Sequence, residues 1–228
     1  MNDQEKIIET LREDINLKHA PQEALEELAA NAKRIFFEKG SYVFRAGDES
    51  EFFYIVESGR VVLSKEAPSG KVFTYLIAVR GVPLNAVTCF KASPRLFSAR
   101  VAEPTSIIAI PCTVFRYRVL RCPEVTAGIL SWMGDMLDGA YTRILDIIDE
   151  SAEVRILNAL TMLSSRIGKD LPLTNNDVAE MTGISRETAA RVISRLQEAD
   201  LISKSRGTIE ILDELRLKEL STSPFFIL

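Results

Sequence analysis

Apolar and polar positions recur with different periods along this chain, and each period predicts a different element. Residues 3–32 read as helical. Ala24, Leu25 and Leu28 follow Pro21 at helical spacing, with acids in the first turn. From Ile35 to about Pro111 the period shortens. The apolar runs YVF, FFYIVE, RVVLSKE, VFTYLIAV and SIIAI are cut by Gly40, Gly47-Asp48, Gly59, Ser69-Gly70 and Gly81. Short β-rich runs with closely spaced turn signals predict a small antiparallel roll or barrel.

A helical period returns from about Pro123 to Asp149. Leu130, Met133, Leu137, Ala140, Ile144 and Ile147 are separated by 3, 4, 3, 4 and 3 residues. That is a heptad seam, the pattern of a helix that pairs with another helix. A second stripe, Trp132, Met136, Leu145 and Ile148, lies beside it. One stripe is expected to pack on the roll and the other on a partner subunit. A single wide face packed within one chain is the alternative. Ser151-Ala152-Glu153 reads as a hinge, followed by the helix VRILNALTMLSSRIG, ended by Gly168.

Two short helices come next. The first opens at Thr174, with Asp177 three residues on, and closes at Gly183. The second opens at Ser185, a good N-cap. Two short helices joined by a tight glycine turn are a helix-turn-helix signature. LISKSRGTIEIL then reads as a two-stranded wing with Ser205-Arg206-Gly207 at its tip, and a last helix spans 213–220. The expected class is α+β: an N-terminal antiparallel β-roll, a long dimerisation helix and a C-terminal winged helix-turn-helix. The corresponding domains are 1–122, 123–150 and 151–228.

The bulk charge is −4, so any nucleic-acid surface has to be local. The segment Gly183–Gly207 meets that condition. It carries Arg186, Arg191, Arg195, Lys204 and Arg206 against Glu187, Glu198 and Asp200. Arg186, Glu187 and Arg191 fall in the first two turns of the second helix. An arginine fork fits guanine O6/N7 and a carboxylate accepts from cytosine N4. A solvated amphipathic helix is the competing reading. Ser185 and Thr188 on the same helix, Thr174 before it and Arg206 on the wing complete the candidate DNA contacts.

The cysteines, Cys89, Cys112 and Cys122, are odd in number and hold no C-x-x-C pair. No disulfide framework or zinc ribbon is expected, which fits a reducing compartment. The N-terminus MNDQEKIIETLRED lacks the basic start and apolar core of a signal peptide. No apolar run reaches the roughly 18 residues of a membrane span. A cytoplasmic protein without membrane contact is the expectation. One histidine and the absence of H-E-x-x-H, P-loop or G-x-S-x-G motifs leave no catalytic group to nominate.

Two stretches resemble the CRP/FNR family of bacterial transcription regulators. FFEKGSYVFRAGDESEFFYIVESGRVVLSKE, residues 36–66, is similar to the first half of a cyclic-nucleotide-binding-type roll. LTNNDVAEMTGISRETAARVISRLQEADLI, residues 173–202, is similar to the family's winged helix-turn-helix, with the CRP-type Ser-Arg-Glu-Thr core followed by Arg191. The resemblance implies a homodimer joined along the long helix, a double-stranded palindrome with TGTGA-like halves, RNA polymerase as a partner and a small-molecule effector in the roll. A regulatory module of the cyclic-nucleotide type acting on a protein partner is the competing class, and the helix-turn-helix argues against it.

The family's cyclic-AMP cassette contains Phe-Gly-Glu for the ribose and a later Arg-Ser-Ala for the phosphate. In GVPLNAVTCFKASPRLFSARV, residues 81–101, the first motif is replaced by Leu84-Asn85-Ala86, and Phe97 precedes Ser98-Ala99. Arg95 and Arg100 are nearby, but spacing alone does not aim them inward. Cyclic AMP is therefore not the expected effector. The candidate pocket is Asn85, Ala86, Cys89, Arg95, Ser98, Ala99 and Arg100, with Trp132, Met133 and Met136 as an inner wall. No cysteine precedes residue 89, against the iron–sulfur cluster of the FNR branch. A haem-based gas sensor would draw its ligands from His19, Cys89, Met133 and Met136.

Overall fold

The computed structural model describes residues 2–84, 86–91 and 93–222, without the side chain of Arg166. The chain opens with a capping box. The Asn2 side chain accepts from the Glu5 N–H, and the Glu5 carboxylate accepts from the Asn2 N–H at 2.7 Å, which starts α1 (Asp3–Glu13). The Asp14 carboxylate then accepts from the Asn16 and Leu17 N–H groups at 2.8 and 3.1 Å. This turn separates α1 from α2 (Gln22–Ala30).

Seven strands build the roll: β1 (Lys33–Phe37), β2 (Tyr42–Phe44), β3 (Phe52–Ser58), β4 (Val61–Glu66), β5 (Val72–Ala78), β6 (Ser98–Val101) and β7 (Thr105–Pro111). They form two sheets, ordered β1-β7-β3 and β2-β6-β4-β5. Strand β7 is buried along nearly its whole length, as its unbroken run SIIAI requires of a central strand. Phe53, Ile55, Leu63, Ile107 and Ile108 fill the interior. Gly59 turns β3 into β4 at φ +85°, where a Cβ would lie 2.5 Å from the Pro104 carbonyl oxygen, so no side chain fits.

The sequence pattern passed over α3 (Cys112–Val119). Its signal was present in Cys112, Phe115 and Val119, which are its buried positions at helical spacing. The Phe115 ring stacks on Phe53 at 3.9 Å and seats this helix on the roll. Helix α4 runs from Pro123 to Asp149. It is followed by α5 (Ala152–Ile167), β8 (Asp170–Leu171), α6 (Asn175–Thr182), α7 (Arg186–Glu198), β9 (Ile202–Ser205), β10 (Thr208–Ile211) and α8 (Glu214–Leu220). Strand β8 adds a third strand to the wing, in the order β8-β10-β9. Two residues are too few for a period, so the sequence showed no sign of it.

The chain divides into two units, residues 1–66 with 74–133 and residues 67–73 with 134–228. In the first unit α4 buries Val125, Ile129 and Trp132. Gly128 lies on that face, where a Cβ would sit 2.4 Å from the Asn16 carbonyl oxygen. In the second unit Asp146 is buried on α4, and the Asn158 amide of α5 lies 3.5 Å from both its oxygens.

The seam positions Leu130, Leu137, Ile144 and Ile147 are 53–60% exposed, and Ala140 is exposed with them. Met133 is half-buried. The second stripe departs from expectation. Trp132 is buried, but Leu145 and Ile148 are exposed, because the inward face is set by Val125, Ile129 and Trp132. Among the described residues no helix is long and apolar enough to cross a membrane.

Candidate nucleic-acid interface and sensing roll

The second unit presents α7 by three devices. Thr174 and Asp177 form a capping box at the start of α6, with the Thr174 N–H donating to the Asp177 carboxylate at 2.7 Å. Gly183 closes α6 in the left-handed region, at φ +68°. A non-glycine residue there costs about 1–2 kcal/mol. The Ser185 hydroxyl then accepts from the Thr188 N–H at 3.1 Å and caps α7. Arg143 and Arg155 donate to the Met181 and Thr182 carbonyls at 2.5 and 3.3 Å. Cations at the end of α6 are favoured by its dipole and fix the turn between the two helices.

Helix α7 buries Ala189, Val192, Ile193 and Leu196. Its opposite face shows Arg186, Glu187 and Arg191 to solvent. Among the described residues, neither Arg186 nor Arg191 is in an ion pair. Two other cations of the same segment are engaged. Arg195 pairs with Glu153 at 2.9 Å, and Lys204 donates to Asn175 Oδ1 at 2.6 Å. The Glu187 carboxyl is held below the usual carboxylate range, first by its own backbone N–H and then by the Ser185 hydroxyl. Thr188 is half-buried, while Thr174 and Arg206 are exposed at the α6 start and the wing tip.

In the roll, the Gly47-Asp48 turn is locked to the loop before β6. The Gly47 N–H donates to the Arg95 carbonyl at 2.9 Å, and the Arg95 N–H donates to the Asp48 carbonyl at 2.8 Å. The Ala46 N–H donates to the Ser98 hydroxyl at 2.9 Å. Arg95 itself is 3% exposed. Its guanidinium covers the Phe44 ring at 3.9 Å and donates to the Phe52 carbonyl at 2.7 Å and to Thr88 Oγ1 at 3.3 Å. Its Nε is buried without a partner. Burial pulls the pKa of this arginine down from its usual value.

Residues 34–120 match the family model of the cyclic nucleotide-binding domain, and residues 154–220 match the Crp-like helix-turn-helix domain. The chain belongs to the CRP/FNR family of transcription regulators. It is similar to the anaerobic regulatory protein of Bacillus subtilis, 26% identical over 190 residues, covering 79% of each chain. It is also similar to the cyclic AMP receptor protein of Thermus thermophilus, 25% identical over 203 residues, covering 89% of this chain and 94% of that one. Among solved structures, FixK2 from Bradyrhizobium japonicum shares the fold. Its TM-score is 0.74 at 17% identity, over 84% of this chain and 98% of that one.

Within this CRP/FNR regulator the candidate effector residues separate. Ala86 and Cys89 lie buried on a 3-10 turn, Ala86–Cys89. Ala99 is buried on β6, and Arg95 is buried in the loop before it. Arg100 is a correction: strand alternation turns it outward, and it is exposed. Asn85 lies outside the described residues. Trp132 is buried on the α4 face that meets the Asn16 carbonyl through Gly128, and its Nε1 has no partner. Met133 and Met136 are half-buried.

The cysteine expectation is overturned. Cys89 and Cys112 form a disulfide, because the roll brings two sulfurs separated by 23 positions to a Cα–Cα distance of 5.1 Å. Parity and the lack of a C-x-x-C pair say nothing about such a tertiary approach. With its sulfur in the bridge, Cys89 is not a free haem ligand. His19 is exposed. Among the described residues no cluster of three or more His, Cys, Asp or Glu side chains could hold a metal. A cleft of about 490 Å³ beside α1 holds Arg34, Arg80 and Lys6. Arg34 is paired with Glu57 and Asp3, and Arg80 with Glu13, so the two arginines serve the fold.

Proposed function

We propose that this regulator acts as a homodimer joined along the exposed seam of α4, with the two copies of α7 reading the halves of a TGTGA-type palindrome. The observation that carries the reading is the exposure of Arg186 and Arg191, without an ion pair among the described residues, on a helix start whose backbone is fixed by Ser185 and Gly183. Both arginines are free to form forks with guanine, and Glu187 is ionised to accept from cytosine. Thr174 and Arg206 flank them as phosphate contacts. The seam supports the dimer, because four large aliphatic side chains at heptad spacing stand in solvent.

The effector bound in the roll is less anionic than cyclic AMP. Leu84 and Ala86 stand buried where the family places its ribose carboxylate, and Arg95 is engaged by the Phe52 carbonyl and the Phe44 ring. Effector binding shifts the population of α4 arrangements, and the segment at residues 151–153 passes the change to the DNA units. RNA polymerase is the partner that reads the outcome.

Fluorescence anisotropy on a TGTGA palindrome tests the reading. Scrambling one half should remove most specific binding, and Leu137→Glu should run as a monomer by sedimentation and lose the palindrome. Equal affinity for the scrambled site rejects paired reading, and a dimeric, folded Leu137→Glu moves the interface away from α4. Titration calorimetry with cyclic AMP should show binding weaker than about 1 mM, the level of about −4 kcal/mol.

A further inference from the structure

The Cys89–Cys112 bridge is the one disulfide among the described residues, and it joins two unlike elements. Cys89 ends the 3-10 turn Ala86–Cys89 in the sensing half of the roll. Cys112 begins α3, directly after the central strand β7. Bridges that hold a fold together serve small domains lacking a sufficient core. This roll has such a core, in Phe53, Ile55, Leu63, Ile107 and Ile108, and its sheets are paired without help from sulfur. The bridge therefore acts locally, on the turn. Thr88 Oγ1 on that turn also accepts from Arg95 at 3.3 Å, and Phe90 meets Phe115 edge-on at 6.2 Å. Cys122 takes no part. It is a buried thiol that donates to the Glu124 carboxylate at 3.2 Å.

We propose that Cys89 and Cys112 form a reversible thiol–disulfide modification site that, when oxidised, clamps the 3-10 turn Ala86–Cys89 onto the start of α3. A dithiol reductant opens it in two steps. One thiolate of the reductant attacks a bridge sulfur, forming a mixed disulfide and releasing the other cysteine as thiolate. The second thiol of the reductant then displaces the protein sulfur and closes its own disulfide. Two electrons and two protons pass to the protein, leaving two thiols. The reverse transfer, to an oxidised dithiol, closes the bridge. The two sulfurs are 3% and 5% exposed by residue, so attack requires the turn to lift from α3 first. Reduction is thereby coupled to a local opening of the roll beside Arg95.

The test equilibrates full-length protein across ratios of reduced to oxidised dithiothreitol, quenches in acid, unfolds and alkylates with N-ethylmaleimide. Intact mass should show three adducts at the reducing end and one at the oxidising end, the three cysteines less the bridged pair. The count should reverse when reductant is restored. Hydrogen exchange in peptides covering 84–91 should be at least about tenfold slower in the oxidised form. Three adducts at every ratio, one adduct at every ratio, or equal exchange in the two states would overturn the proposal. Cys89→Ala should give two adducts throughout, and a redox-dependent count in that variant would show Cys112 pairing elsewhere and likewise reject the site. None of these readouts involves DNA, so they stand apart from the proposed palindrome reading.

Discussion

Arginine is used in opposite ways in the roll and on α7. Arg95 is sealed inside the first unit, its charge spread over aromatic faces and a backbone carbonyl. Arg186 and Arg191 stand in water on the second unit with no intramolecular ion pair among the described residues. A buried charge is committed to the fold, because removing it leaves its partners desolvated. An exposed charge at a capped helix start contributes little to the fold and is available to a ligand. The first unit should therefore answer to charge substitutions in stability, and the second in DNA binding.

The largest expected effect comes from Asp14, a buried carboxyl of the first unit. Burial, opposed by hydrogen bonds from Asn16 and Leu17, raises its pKa from 3.8 to about 7. Between about pH 4 and 7 the unfolded chain therefore releases this proton while the folded chain keeps it. Its contribution to stability is fully present below that window and lost as pH rises through it, by at most about 4 kcal/mol. Asp14→Asn keeps an acceptor for the two N–H groups and should flatten that slope. Urea unfolding followed through Trp132, the one tryptophan and a member of the first unit, reads it. An unchanged slope would place the titration elsewhere.

Arg95→Ala is next. It opens a cavity and strips a donor from the Phe52 carbonyl, for a loss of about 3 kcal/mol by the same probe. Arg95→Met should lose less, since it fills the space without a desolvated charge. A neutral Arg95→Ala would put this arginine with the exposed ones and dissolve the contrast.

Arg186→Ala and Arg191→Ala should each cost about 1–3 kcal/mol of specific DNA binding, read by anisotropy. Unfolding should stay within about 0.5 kcal/mol of the parent. The smallest effect belongs to Glu187→Ala, which should lower discrimination at one base pair by about 1 kcal/mol with little change in overall affinity. Equal loss on every sequence would recast these side chains as phosphate contacts.

The same contrast governs how much the sequence revealed. The charged outer face of α7 was legible because an exposed helix obeys local rules. Ser185 caps, Gly183 turns, and charge occupies the solvent side of a 3.6-residue period. The seam of α4 was legible for the same reason. The loop before β6 was not, since side-chain direction there depends on contacts distant in sequence. Arg95 and Arg100 differ by five positions, yet contacts with Phe44 and Phe52 bury the first while the second stands exposed on β6. Asp14 sat in a stretch that reads as helical, where the burial of one acid leaves no mark, and the partner of Cys89 lay 23 positions along the chain.

The exposed seam of α4 also carries a consequence of mass action. If paired subunits bury Leu130, Leu137, Ile144 and Ile147, folding and association share one equilibrium. The melting temperature should then climb with protein concentration, and dilution should weaken the molecule as well as divide it. Abundance in the cell would act as a regulator in its own right. A scarce subunit would be short-lived, with an aliphatic strip offered to chaperones and proteases, while a plentiful one would protect itself.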